Sequence, residues 1–135
     1  MQKAIVRLML AFFLVPSYAY AGTVVKEGAE AKTLYEAAKA TAQVLAQKDK
    51  IFILRAPGGA ETKKPKEMTV KVGETIYLTN EEEKYVHNVY DNSDNSWVLK
   101  KQAPSEVAAI TFNAAGKHKL RCAIHPKMKI KVIVK

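Results

Sequence analysis

From residue 51 to residue 135 the chain is cut by turn residues into short β-prone runs, and none of them needs a helical period. Ile51-Phe52-Ile53-Leu54 opens the series, and residues 56–65, carrying Pro57-Gly58-Gly59, read as a loop. Thr69-Val70-Lys71-Val72 alternates and meets the turn signal Gly73-Glu74. Residues 75–79 follow, so the two runs are expected to pair as a hairpin. Residues 86–90, 97–99, 107–112, 117–122 and 129–135 complete seven or eight strands, with polar turns at 80–84 and 91–96. Short strands at this spacing predict an all-β, antiparallel Greek-key β-sandwich.

The residues before this unit read differently. Lys3 and Arg7 precede an uncharged apolar run, Leu8 to Val15, then Pro16 and the small-x-small triplet Ala19-Tyr20-Ala21. This is the pattern of a cleaved export signal, and its apolar run is far shorter than the ~20 residues that span a bilayer. Its removal takes two of the 22 basic residues and lowers the formal charge from +9 to +7. Residues 22–28 read as a flexible lead. Residues 29–48 contain no Gly or Pro and much Ala. Leu34, Ala37, Ala38, Thr41, Val44 and Leu45 recur at three- and four-residue spacing, which predicts a helix. The expected organisation is a signal peptide over 1–21, an N-terminal α-helical extension over 22–50 and the β-domain over 51–135. The expected compartment is the periplasm, with no stable membrane insertion after signal cleavage.

Cys122 is the single cysteine, which excludes an internal disulfide framework and any multi-cysteine metal site. A free thiol in an oxidising compartment needs protection by burial or by a metal. Its neighbours favour the metal: Cys122, His125 and Met128 fall at C-x2-H-x2-M between the last two strands, and His87 lies on a strand 35 residues earlier. Two imidazoles, a thiolate and a thioether are the donor set of a type 1 (blue) copper site, a trigonal His2Cys plane with a weak axial Met. The soft thiolate suits Cu(I), and a geometry that serves both oxidation states lowers the barrier to electron transfer. Asn88 is expected to hydrogen-bond across to the ligand loop and orient it.

On residues 68–75 (MTVKVGET), 87–90 (HNVY) and 116–134 with CAIHPKM at the centre, the segment 51–135 resembles the cupredoxins, the amicyanin/plastocyanin-like group with a short ligand loop. The resemblance implies an eight-stranded Greek-key sandwich, copper bound by His87, Cys122, His125 and Met128, and electron shuttling between larger redox proteins. Leu120 and His118 stand where the family commonly has aromatic residues, and Lys127 where it often has a bulky apolar one. The surface around the ligand His is therefore expected to be more basic than in many relatives.

Other residues receive plainer readings. His118 shares a strand face with Cys122 but lies ~13 Å away at strand rise, so it is expected in the core or at its rim. Met68, Trp97 and Phe112 are read as packing, and Glu81-Glu82-Glu83 as a solvated turn. Lys117, Lys119, Arg121, Lys127, Lys129, Lys131 and Lys135 follow Glu106, after which no acid occurs. These basic residues read either as a solvated, aggregation-resistant edge or as a positive surface that steers an acidic redox partner, a cytochrome or a dehydrogenase. Nucleic acid does not suit an exported chain with few aromatics. The expected function is a periplasmic one-electron carrier with one type 1 copper. The alternative is a copper-binding or delivery protein, which would favour exposed Met/His clusters that this chain lacks. Only His118 remains once the site is filled, too little for the second copper centre of an enzyme.

Overall fold

A computed structural model of the chain describes residues 18–20, 22–93 and 97–135. The expected leader over 1–21 lies outside the described residues except for Tyr18–Tyr20. These form strand β1 and pair antiparallel with β2 (Thr23–Lys26). Helix α1 (Gly28–Ala38) follows, then β3 (Val44–Lys48), β4 (Ile51–Arg55), β5 (Glu61–Lys63), β6 (Glu67–Val70), β7 (Thr75–Asn80), β8 (Val89–Asp91), β9 (Val107–Phe112), β10 (Gly116–Cys122) and β11 (Lys129–Val134). They build two sheets, in the order β1-β2-β9-β7-β3-β4-β5 and β6-β11-β10-β8. The Greek-key sandwich expected from the strand spacing is present. It is not purely antiparallel, because β3 runs parallel to β7 and β6 parallel to β11.

The core lies between the sheets and follows the two-residue period of the strands. Ile76 and Leu78 of β7, Ala108, Ile110 and Phe112 of β9, and Leu120, Ile130 and Val132 of the facing sheet are all buried in one cluster. Met68, Trp97 and Phe112 join it, as read from the sequence. The other face of the large sheet offers Val44, Tyr77, Val107 and Ala109, and α1 covers these with Ala31, Tyr35 and Ala38. Tyr35 tilts against Tyr77 with ring centroids 5.7 Å apart.

Three sequence expectations are corrected here, the first being the flexible lead over 22–28, where Thr23–Lys26 form β2 between β1 and β9. The helix expected over 29–48 stops at Ala38, and residues 44–48 form a strand between β7 and β4. Val44, Leu45, Ala46 and Gln47 are all buried, so burial on both faces overrides a good helix propensity. The strands on either side of residue 50 thus belong to one sheet. The hairpin expected from 69–72 and 75–79 is absent as well: β6 pairs with β11 and β7 with β9 and β3, so the turn carries the chain from one sheet to the other. Gly73 makes that passage at φ +85°, a region only glycine enters freely, and its N–H bonds Phe112 O at 2.7 Å.

Candidate metal centre

The fold brings three donors to one end of the sandwich. Cys122 ends β10 and is 2% exposed, with its side chain on the core face of the alternating strand. The chain then turns through residues 123–128 into β11. The turn is closed by Met128 N–H to His125 O at 2.9 Å and Cys122 N–H to Met128 O at 3.2 Å. His87 enters from the chain before β8. It is held by a two-bond bridge to Gln102, N–H to O at 3.0 Å and the reverse at 2.8 Å.

Cys122 Sγ lies 3.6 Å from His87 Nδ1 and 3.6 Å from His125 Nδ1, and the two Nδ1 atoms are 3.1 Å apart. An ion held about 2.0–2.3 Å from nitrogen and sulfur donors needs them roughly 3–4 Å apart, which is this spacing. The orientation also fits. His87 Nε2 faces Glu82 Oε1 at 3.2 Å, which turns Nδ1 toward the trio; with copper bound, the Nε2 proton would lie toward Glu82 and leave the Nδ1 lone pair to the metal. Met128 is buried in the same loop, 2% exposed, and the described trio of convergent donors is His87, Cys122 and His125.

The thiol is primed for metal. Burial pushes Cys122 up, but the His87 ring and the N–H groups of Asn88, Ile124 and His125 outweigh it and bring the thiol down to about 6. The Asn88 N–H points at Sγ from 3.5 Å.

Glu82 was missed in the sequence, where the three-glutamate run read as solvated. Its side chain is buried, and Oε1 accepts both from His87 and from the Lys50 N–H at 2.7 Å. Asp49 and Lys50 both have positive φ, 53° and 58°, so the tight β3–β4 turn aims that N–H at the carboxylate. Glu81 is half-buried and forms two bonds with Arg55. Asn88 does reach the ligand loop, but through its backbone: Ala123 N–H bonds Asn88 O at 2.8 Å, while its side-chain amide donates to Leu99 O at 3.2 Å. His118 is buried against the Phe112 ring and bonds Asp91 at 2.6 Å, away from the trio.

His125 is the least buried of the three. Beside it Tyr85 and the adjoining Ile124 are exposed, and the Tyr85 ring meets the His125 ring edge-on at 6.3 Å. Lys50 Nζ sits 4.3 Å above the Tyr85 ring, so a cation borders this apolar rim.

The solved structure of amicyanin from Paracoccus versutus superimposes on this chain with a TM-score of 0.57. It is 30% identical, over 71% of this chain and 83% of that one. The chain belongs to the amicyanin-like cupredoxins. A curated amicyanin from Paracoccus versutus is 38% identical over 72 residues, 50% of this chain and 54% of the relative, so the chain spans about half of that relative's length. The reduced Cu(I) form of an amicyanin point mutant shares the cupredoxin fold at a TM-score of 0.61 with 22% identity, over 84% of this chain and 99% of that one. No protein-family model matches the chain. Of the departures from the family pattern, Lys127 is exposed at the loop surface beside the buried Met128, whereas Leu120 and His118 are buried on β10.

Proposed function

We propose that this cupredoxin is exported through residues 1–21, binds one type 1 copper through His87, Cys122, His125 and Met128, and carries single electrons between redox proteins. The observation that supports it most directly is the convergence of Cys122 Sγ with the two Nδ1 atoms at 3.6, 3.6 and 3.1 Å. Bound copper would supply a one-electron couple whose donors need little rearrangement. The chain's own residues do the rest. Glu82 and the Gln102 bridge fix His87, the Asn88 N–H faces the thiolate, and the sandwich shields the sulfur from oxidant and water. His125, the most exposed of the converging donors, is the edge at which electrons enter and leave through the apolar rim. No helix among the described residues is long and apolar enough to cross a membrane.

The test is a visible and EPR spectrum of the chain from Gly22 onward loaded with Cu(II). An intense thiolate-to-copper band that bleaches in Cys122→Ser, and that returns through repeated reduction and oxidation without copper loss, is the expected result. A colourless folded protein defeats the copper assignment. Copper that passes to a weak chelator on each reduction makes the metal cargo instead.

A further inference from the structure

The small sheet carries an arrangement of charge that its own fold leaves unbalanced. In the β10–β11 ladder, Lys119 stands directly opposite Lys131 and Arg121 directly opposite Lys129. These four side chains alternate with the buried Leu120, Cys122, Ile130 and Val132, so they share the outer face. Like charges directly opposite each other on a sheet are destabilising, and none of the four forms an ion pair among the described residues. Arg121 Nε is buried with no hydrogen-bond partner among the described residues. A buried donor left unpaired costs about 1–3 kcal/mol.

All four line a cleft of about 760 Å³. Lys50, Lys64, Lys66 and Lys127 extend the cationic lining, and Asp49 is its single acid. Met128, from the ligand loop, lines the same cleft. The cleft therefore reaches the metal loop at its Met128 end, and Lys50, whose Nζ sits over the Tyr85 ring, joins it to the apolar rim beside His125.

We propose that this cleft is a docking groove for an acidic segment of a protein redox partner, carboxylates of the segment seating between Lys119, Arg121, Lys129 and Lys131. The redox character of the partner rests on the carrier reading above; the acidic character rests on the groove alone. Charge complementarity selects the occupant, and concavity selects a protruding carboxylate-bearing loop over a flat bilayer. The segment's carboxylates relieve both like-charge pairs and give Arg121 Nε an acceptor. A partner seated there contacts the metal loop at the Met128 end and, through Lys50, borders the rim of the His125 edge.

Hexaglutamate is the probe, titrated into ¹⁵N-labelled chain in both the metal-free and the Cu(I) form. The metal-free arm tests the groove even if the copper assignment fails. Saturable shifts confined to 49–52, 64–66, 119–121 and 127–131, weakened by added salt, are expected in both forms. Lys119→Glu with Lys129→Glu turns both like-charge pairs into opposite ones. This variant should melt higher than the parent and bind the peptide at least about tenfold more weakly. Lys32→Glu on α1 with Lys39→Glu at its C-terminal cap, the same change in net charge, should leave binding within about twofold. Equal loss in both double variants overturns the proposal, as do shifts spread over α1. Phosphatidylglycerol vesicles or inorganic phosphate displacing the peptide at lower charge concentration also overturn it, in favour of a lipid or phosphate ligand.

Discussion

Glu82 Oε1 ties His87 Nε2, at 3.2 Å, to the backbone N–H of Lys50, at 2.7 Å, so one buried carboxylate links the imidazole to the turn between β3 and β4. A histidine ligand whose far nitrogen donates to a carboxylate is fixed in tautomer and orientation and made more basic. Glu82→Gln keeps the shape and removes the charge. Copper affinity should fall about 10–100-fold, with Cu(II) losing more than Cu(I). Each tenfold selective loss for Cu(II) raises the reduction potential by about 59 mV. Competition with a chelator of known affinity and cyclic voltammetry check both. An unchanged potential would show that the carboxylate only holds the turn.

Asn88 separates backbone from side chain at the same site. Its N–H faces the thiolate and its O accepts from Ala123, while its amide is spent on Leu99 O. Asn88→Ala should therefore leave the thiolate-to-copper band nearly where it was. It should cost about 1 kcal/mol of stability for the lost bond, or roughly 4 °C in Tm. Loss of the visible band would instead put the side chain in the metal site.

Acid should weaken the fold partly through Glu81. Burial raises its carboxyl, but the bonds from Arg55 and from Thr79 outweigh it and hold it below the ordinary carboxylate range. A carboxylate lowered on folding stabilises the protein above the unfolded-state pKa. That contribution is lost as the pH falls through the lower folded value. Denaturant midpoints of metal-free protein from pH 7 to pH 3 should fall in the acid limb. Glu81→Gln should lower the pH 7 midpoint and flatten that limb, by about 1–2 kcal/mol in all for the broken Arg55 pair. An acid limb as steep in the variant as in the parent would assign the loss to other carboxylates.

The β-sandwich was legible in the sequence because most of its strands alternate and are punctuated, and the convergent donors because C-x2-H-x2-M lies between the last two of them with His87 upstream. What stayed hidden has physical reasons. Val44-Leu45-Ala46-Gln47 carries no alternation, since both of its faces are buried, and such a run cannot be told from helix by period alone. Glu82 sits among three glutamates, and only the turn at Asp49 and Lys50, remote in sequence, makes one of them an inward anchor. Gly73-Glu74 does mark a turn, but a turn signal does not say whether the chain stays in its sheet or leaves it. The like-charge pairs of β10 and β11 needed the register, which composition does not contain.

The place of residues 22–50 gives the last prediction. If they were an appendage, a chain beginning at Ile51 would fold. In the structure β3 lies between β7 and β4, with Leu45 fully buried in the inter-sheet core and Gln47 Nε2 bonded to Gln102 Oε1 at 2.8 Å. Gln102 is the residue that bridges His87, so loss of β3 also loosens the metal end. The truncated chain should show no cooperative unfolding transition. Within the full chain, Leu45→Ala should cost about 2–5 kcal/mol as a core cavity. Leu34→Ala, at a helix position 37% exposed, should cost under about 0.5 kcal/mol. Urea unfolding of the two variants separates the cases, and equal small costs would return residues 44–48 to the status of an extension.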